Sequence, residues 1–382
     1  MKVLQIGMGW FPEQAGGLNR VFYGCYQYLP KFNVEISGLV AGSPEVSLAS
    51  HGQIHAFAPS TIPLLKRWLA VDRTAKHLIA QAPPDLIASH FALYSRPLLR
   101  HLQNRPLVTH FHGPWALEGN AEGNRNIATW LKKQIELPTY RRADRFIVLS
   151  DAFRQILHQE YGVPLHKIDI VPGGVDLDRF TLDLTPAAAR DRLIWPRDRP
   201  ILFAVRRLAK RMGLENLITA MVAIRRHHPE TLLMIAGKGN LQPQLQAQID
   251  SLGLQDSVKL LGFLPDEQLP MAFRAAQLSV VPTVALEGFG LIVIESLAAG
   301  TPVMGTPIGG IPEILTPLSP NLLFEDASPT ALASGIIEAL SGQRSLPSSE
   351  ACRTYTETHY AWPVIAQKIK AVYEQTLAGK HV

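Results

Sequence analysis

Short apolar runs rich in β-branched residues alternate along this chain with longer stretches whose apolar positions recur at helical spacing. Residues 2–6, 34–40, 84–90, 107–114, 145–150 and 168–171 read as buried strands of a first half, and 200–205, 232–236, 258–264 and 278–281 as those of a second. Residues 21–29, 64–81, 291–299 and 364–377 carry helical periodicity, as does 131–145, a basic stretch with an interruption expected at Pro138. Ser150-Asp151 is an N-cap signal for the helix after it. The polar, proline-containing stretch 177–199 reads as a linker. Alternation of this kind predicts an α/β fold with two parallel sheets in series, and ligand groups at the carboxyl ends of the strands.

One stretch concentrates the chemistry. Leu278-Ser279-Val280-Val281 is a short buried strand, and Pro282 ends it. Gly288-Phe289-Gly290 then allows a sharp turn and close backbone approach to a ligand. The helix that follows starts near Leu291, and its free N–H groups and partial positive charge suit a diphosphate. Glu287 and Glu295 flank that end. Carboxylates beside a phosphate site suit hydroxyl donors, such as a ribose or a sugar ring, so the stretch fits a nucleotide carrying a polyol.

Glu287-Gly288-Phe289-Gly290 with Glu295 eight positions after the first glutamate resembles the signature of the family 4 retaining glycosyltransferases. Ala298-Ala299-Gly300-Thr301-Pro302-Val303 and Gly309-Gly310-Ile311-Pro312-Glu313 extend the resemblance. It implies the GT-B fold: two Rossmann-like parallel-sheet domains facing across a cleft. Residues 1–177 would form the acceptor-side domain and 178–362 the nucleotide-sugar domain, with a C-terminal helix, 363–382, packing back on the first.

The resemblance also implies roles for single residues. Glu287 would meet the donor sugar hydroxyls and Glu295 the ribose. The diphosphate would meet Arg207, Arg211 and the backbone around Gly288, Phe289, Gly290 and Leu291. The histidine of His112-Gly113-Pro114 would line the sugar, with His110 in a core or supporting position and His90 at a strand end. Gly16 and Gly17 would meet donor phosphate or acceptor, or form a plain turn. Gly237 and Gly239 would lie near the nucleotide, and the strand ending at Phe263 near the base. Family members usually show Arg-Leu, three residues, then Lys-Gly; here Met212 stands at the lysine position, one residue after Arg211. Gly173 stands where the family often has asparagine, and Asp176-Leu177-Asp178 reads as structural rather than metal-binding.

Composition narrows the classes. A hydrophobic content of 47% and charged content of 18% over 382 residues describe a globular chain of two or three domains. No apolar run approaches the about 20 residues that span a bilayer, residues 1–7 show no signal-peptide pattern, and two cysteines make no disulfide framework. The expected location is the cytoplasm, with peripheral attachment at the inner membrane face as a further expectation. Net charge is +5, and all of it falls in residues 1–176, which hold 18 Lys and Arg against 13 Asp and Glu; the remainder holds 19 of each. Lys66, Arg67 and Trp68 on one helix and Lys132, Lys133, Arg141 and Arg142 on another suit an anionic membrane surface or acceptor, or a solvated face. Nucleic-acid motifs are absent, and Pro12 breaks the Gly7-x-Gly9 start of a dinucleotide fingerprint.

Together these features predict an enzyme without cofactor or metal. It would move a hexose or related sugar from a UDP- or GDP-linked donor to a glycan, glycolipid or small-molecule acceptor, in cell-surface polysaccharide or glycolipid synthesis. The rival readings are a nucleotide-sugar epimerase of the same fold and a non-catalytic nucleotide-sugar-binding subunit. A phosphorylase would need a pyridoxal phosphate lysine, for which no motif appears.

Overall fold

A computed structural model describes residues 1–102, 104–116 and 127–379. The chain divides into two compact units: Met1–Gly174 with Trp362–Val382, and Val175–Ala361. The last three residues of the expected tail helix, 380–382, lie outside the described residues.

The first unit is built on a seven-stranded sheet of β1 (Lys2–Gly9), β2 (Glu35–Ala41), β3 (Ile54–Ala58), β4 (Leu86–Ser89), β5 (Leu107–Phe111), β6 (Arg145–Val148) and β7 (Ile168–Ile170). Every pairing is parallel, in the order β3-β2-β1-β4-β5-β6-β7. The second unit carries β8 (Ile201–Val205), β9 (Leu232–Ala236), β10 (Val258–Gly262), β11 (Leu278–Val281) and β12 (Val303–Gly305), also parallel, in the order β10-β9-β8-β11-β12. Helices on both faces bury the strands completely, as in β4, β5, β9 and β11, which is why these strands read as unbroken apolar runs rather than alternating ones. In each sheet the strand order reverses once, between β1 and β4 and between β8 and β11. Loops that leave the carboxyl ends at such a point diverge and open a crevice.

Local signals set most boundaries. Ser150 Oγ accepts from the Phe153 amide at 3.2 Å and starts helix Asp151–Tyr161, and Gly162 ends it in the left-handed region. Three expectations are corrected. Helix Gly17–Tyr28 starts with the second glycine of its pair, so only Gly16 precedes it. Pro138 lies inside a continuous helix, Ile127–Arg142. The stretch 177–199 is no linker: it forms helices Leu177–Phe180 and Pro186–Leu193 and belongs to the second unit. Arg190 anchors it there, buried and donating to the carbonyls of Ala275, Pro196, Arg197 and Arg199.

The tail helix Trp362–Ala378 belongs to the first unit, and side-chain shape explains why. The Trp362 indole stacks on Tyr28 at 5.8 Å and covers Gly24, where an added Cβ would lie 1.9 Å from the ring. One helical face further on, the Tyr373 hydroxyl is hydrogen-bonded to His110 Nε2 at 2.7 Å.

Candidate functional site

The second unit's site forms at the β8/β11 reversal. Arg206 follows β8, and Thr283 and Glu287 follow β11. Arg206 Nη2 donates to Thr283 Oγ1 at 2.6 Å and to Glu287 Oε2, forming an ion pair whose side chains are 8% and 13% exposed. Burial alone would raise the Glu287 pKa, but Arg206, Arg211 and Thr283 together outweigh it and hold the carboxyl below its ordinary value. Glu287 is therefore a charged, oriented acceptor.

Arg211 shapes the loop that carries Glu287. Its carbonyl accepts from the Val284 and Ala285 amides at 3.0 and 3.4 Å, and its Nη1 donates to the Leu286 carbonyl at 2.8 Å. Leu286 sits at φ 52, a left-handed conformation that costs a leucine energy and persists only when its surroundings hold it. Arg207 is exposed beside this cluster. Met212 is buried in the hydrophobic core, so the position where the family carries lysine faces inward.

The turn after Glu287 delivers a helix end. Gly290, at φ 94, is the N-cap of helix Leu291–Ala298 and makes no side-chain cap; its carbonyl accepts from the Val293 amide at 2.8 Å, and a helix start without a side-chain cap suits an anion. The Phe289 ring is 4% exposed and packs on Tyr360 at 5.8 Å. Gly288 and Leu291 are half-buried beside it, and Glu295 is buried one turn into the helix.

Gly237 and Gly239 serve a close backbone approach. A Cβ at Gly237 would lie 1.8 Å from the Arg206 carbonyl, and one at Gly239 2.1 Å from that of Leu208. The pair thus lets β9's loop press against the segment that carries Arg206 and Arg207. Phe263 is 56% exposed just past β10, with Lys238 Nζ 5.0 Å from its ring centre. An exposed ring beside a cation is a suitable platform for a nucleobase.

In the first unit, the β1/β4 reversal gathers histidines. His90 follows β4, His110 is on β5 and His112 lies just past it. Their rings stack nearly parallel: 4.1 Å and 14° for His90 and His110, 5.3 Å and 16° for His90 and His112. His90 Nδ1 and His112 Nε2 share a hydrogen bond of 3.1 Å, while His90 Nε2 and His112 Nδ1 are buried without one among the described residues. Burial drives His112 down to about 3 and puts His90 and His110 well below the ordinary histidine range. The candidate ligand nitrogens lie within 4.8 Å of one another. Neutral hydrogen-bonding rings are what the arrangement provides. Gly16 caps its helix with open space around it, and Gly17 is exposed as the first helical residue.

The site's main omission from sequence reasoning is Arg206. Two adjacent arginines follow β8, and only the fold shows that the first turns inward to Glu287.

The pattern described as Glycosyltransferase Family 4 matches residues 15–179, and that described as Glycosyl transferases group 1 matches residues 187–359. The chain belongs to glycosyltransferase family 4. Phosphatidyl-myo-inositol mannosyltransferase of Mycobacterium tuberculosis is 27% identical over 89% of this chain and 84% of its own. Sucrose-phosphate synthase from Thermosynechococcus elongatus superposes with a TM-score of 0.82 over 99% of both chains at 22% identity. Anabaena HepE, solved with UDP and glucose, superposes at 0.79 over 98% of this chain and 100% of its own, at 19% identity. The shared architecture is GT-B.

This family 4 chain has no helix, among its described residues, long and apolar enough to cross a membrane. The residues expected to meet a membrane surface are largely engaged elsewhere. Arg67 donates to the Tyr94 hydroxyl, Trp68 packs on the first unit's core, and Lys132 lies over the Trp115 ring at 4.8 Å. Lys133 reaches Glu160 at 3.5 Å and Arg142 reaches Asp144 at 3.1 Å. Lys66 and Arg141 are exposed, and so are Leu65, Leu69, Ile127, Trp130 and Leu131 on the same two helices.

Proposed function

We propose that this glycosyltransferase moves a hexose or related sugar from a nucleotide diphosphate sugar, UDP- or GDP-linked, to a glycan, glycolipid or small-molecule acceptor. Transfer retains the anomeric configuration and needs no metal ion. The observation that carries the reading is the charged, oriented Glu287 carboxylate held by Arg206 and Thr283 immediately before an uncapped helix N-terminus. A carboxylate set for hydroxyls beside amides set for a diphosphate matches the two halves of a nucleotide sugar.

In the proposed route the acceptor oxygen attacks the anomeric carbon from the face that the diphosphate leaves. A donor phosphate oxygen takes the acceptor proton. Arg207, Arg211 and the amides from Gly288 to Leu291 stabilise the growing diphosphate charge, and Glu287 and Glu295 hold sugar and ribose. His112, neutral at physiological pH, is the candidate sugar contact of the first unit. The names of the mannosyltransferase relative and of the HepE complex support the donor class and a polyol- or lipid-bearing acceptor. Lys66, Leu65, Leu69, Trp130 and Leu131 support work at an anionic membrane face, in polysaccharide or glycolipid synthesis.

The test is turnover of a UDP- and GDP-sugar panel with candidate acceptors in the presence of EDTA, with the product's anomeric configuration read by NMR. A product of inverted configuration, or activity abolished by EDTA and restored by a divalent ion, refutes the mechanism.

A further inference from the structure

At the amino edge of the five-stranded sheet, the end away from Glu287, a cavity of about 520 Å³ lies among the segments that lead into β8, β11 and β12. Arg190, Arg197 and Arg274 line it with Gln277, Gly300 and Ser349, and no aspartate or glutamate does. All of its walls belong to the second unit. A fourth arginine stands at its edge: a Cβ on Gly300 would lie 2.8 Å from Arg353 Nε and 2.9 Å from its Nη2.

The charges of this cluster are poorly matched. Arg197 pairs with Asp191. Arg190 donates to four carbonyls and to Gln277 Oε1, which satisfies its N–H groups without neutralising it; Asp198 acts on it only at longer range. Arg274 donates to the Leu184 carbonyl at 2.8 Å and to Ser349 Oγ at 3.1 Å, both neutral. Arg353 reaches the Ala299 carbonyl at 3.4 Å, and its Nε is buried with no hydrogen-bond partner among the described residues. Burial and the neighbouring Arg353 cation both lower the Arg274 pKa, as expected for two positive charges held together without an acid.

Two helix starts add to the same field. Ala187, in the first turn of Pro186–Leu193, and Ser349, the first residue of Ser349–Tyr360, both line the cavity. Helix N-termini present N–H groups and partial positive charge. Like charges gathered in a concave, partly dry space are stabilised by a bound anion.

We propose that this cavity is a second ligand site that binds a small phosphorylated metabolite, with the phosphate between Arg274, Arg353 and the start of helix Ser349–Tyr360. Guanidinium forks match phosphate oxygens, and the volume lies within the range of small-molecule sites, about 300–1,000 Å³. The site is separate from the β8/β11 crevice. Helix Leu291–Ala298 runs between them, with Gly290 at one end and Gly300 just past the other, a span of about 12 Å at 1.5 Å per residue.

The experiment is thermal stabilisation of the full chain by glucose 6-phosphate, with glucose as the uncharged control, in saturating UDP and GDP to occupy any nucleotide site. The wild type is expected to gain stability with glucose 6-phosphate and not with glucose. Arg353→Gln should need about tenfold more ligand, or higher still. Ser349→Asp should lose the response too. It leaves every arginine in place, puts a negative charge into the cavity and favours its own helix start, so it remains folded. Absence of stabilisation in the wild type, or an equal response in the wild type and Ser349→Asp, overturns the proposal. UDP binding measured alone in each variant reports the other site independently.

Discussion

Replacing Arg206 with methionine isolates the ion pair at the centre of the site. The substitution keeps most of the apolar stem and removes the guanidinium, so Glu287 is left buried with Thr283 and the nearby Arg211. Breaking a buried pair from one side costs about 3–5 kcal/mol, and the remaining partners put this case near 3. For a unit of this size each kcal/mol moves the unfolding midpoint by about 2–4 °C, so Arg206→Met should melt about 6–12 °C lower. Adding Glu287→Gln removes the stranded charge and should restore about half of the loss, a positive coupling in the double-mutant cycle. The pH dependence gives the sign. In the wild type the lowered Glu287 pKa contributes stability above the ordinary carboxylate value of about 4.3, and this is lost as pH falls through the lower folded value. In Arg206→Met burial dominates and raises that pKa. The deficit should therefore be greatest near neutral pH and shrink toward about pH 4. Urea midpoints, with hydrogen exchange along Ile201–Val205 and Leu278–Val281 to locate the loss, decide it. A loss under about 0.5 kcal/mol, or one that grows on acidification, refutes the reasoning.

Four further outcomes are expected. The three neutral histidines make the first unit acid-sensitive: below about pH 6.5 the unfolded chain takes up protons that the native fold refuses, so stability present above that pH falls by up to about 4 kcal/mol per pH unit; equal urea midpoints at pH 7 and 5 would contradict it. Glu295→Gln should weaken nucleotide diphosphate binding about tenfold, measured calorimetrically, through loss of a charged acceptor. Arg207→Ala should lower turnover with little change in melting temperature, whereas Arg211→Ala should lower both, because Arg211 also holds Leu286; Met212→Lys should destabilise by burying an ammonium in the core rather than restore a phosphate contact. Sedimentation with anionic vesicles should be salt-sensitive and reduced in a Lys66→Glu, Trp130→Glu variant, and an unchanged bound fraction would assign attachment elsewhere.

Residues that act through local chemistry were legible from the chain alone. The strand before Pro282, the turn at Gly290 and the helix after it follow from β-branched runs, a proline and a glycine within a few positions of one another. The Ser150 cap and helix Leu64–Gln81 are equally local. The Glu287-to-Glu295 pattern sufficed for the family, because a phosphate-facing helix end and its flanking carboxylates form one short segment. What needed the tertiary structure was each decision that depends on a partner far along the chain. Arg206 and Arg207 are neighbours of one residue type, and Glu287, 81 positions away, chooses the first. Met212 replaces a charge because its side chain faces the hydrophobic core, and nothing in its own neighbourhood states that direction. Pro138 is tolerated inside a helix that sequence pattern would break there. Residues 177–199 look like a linker by composition, yet Arg190 finds carbonyls as far as Ala275 and ties the stretch down. Periodicity records which face of an element is apolar. It does not record which distant backbone or charge that face will meet, and such meetings place the charged groups of this site.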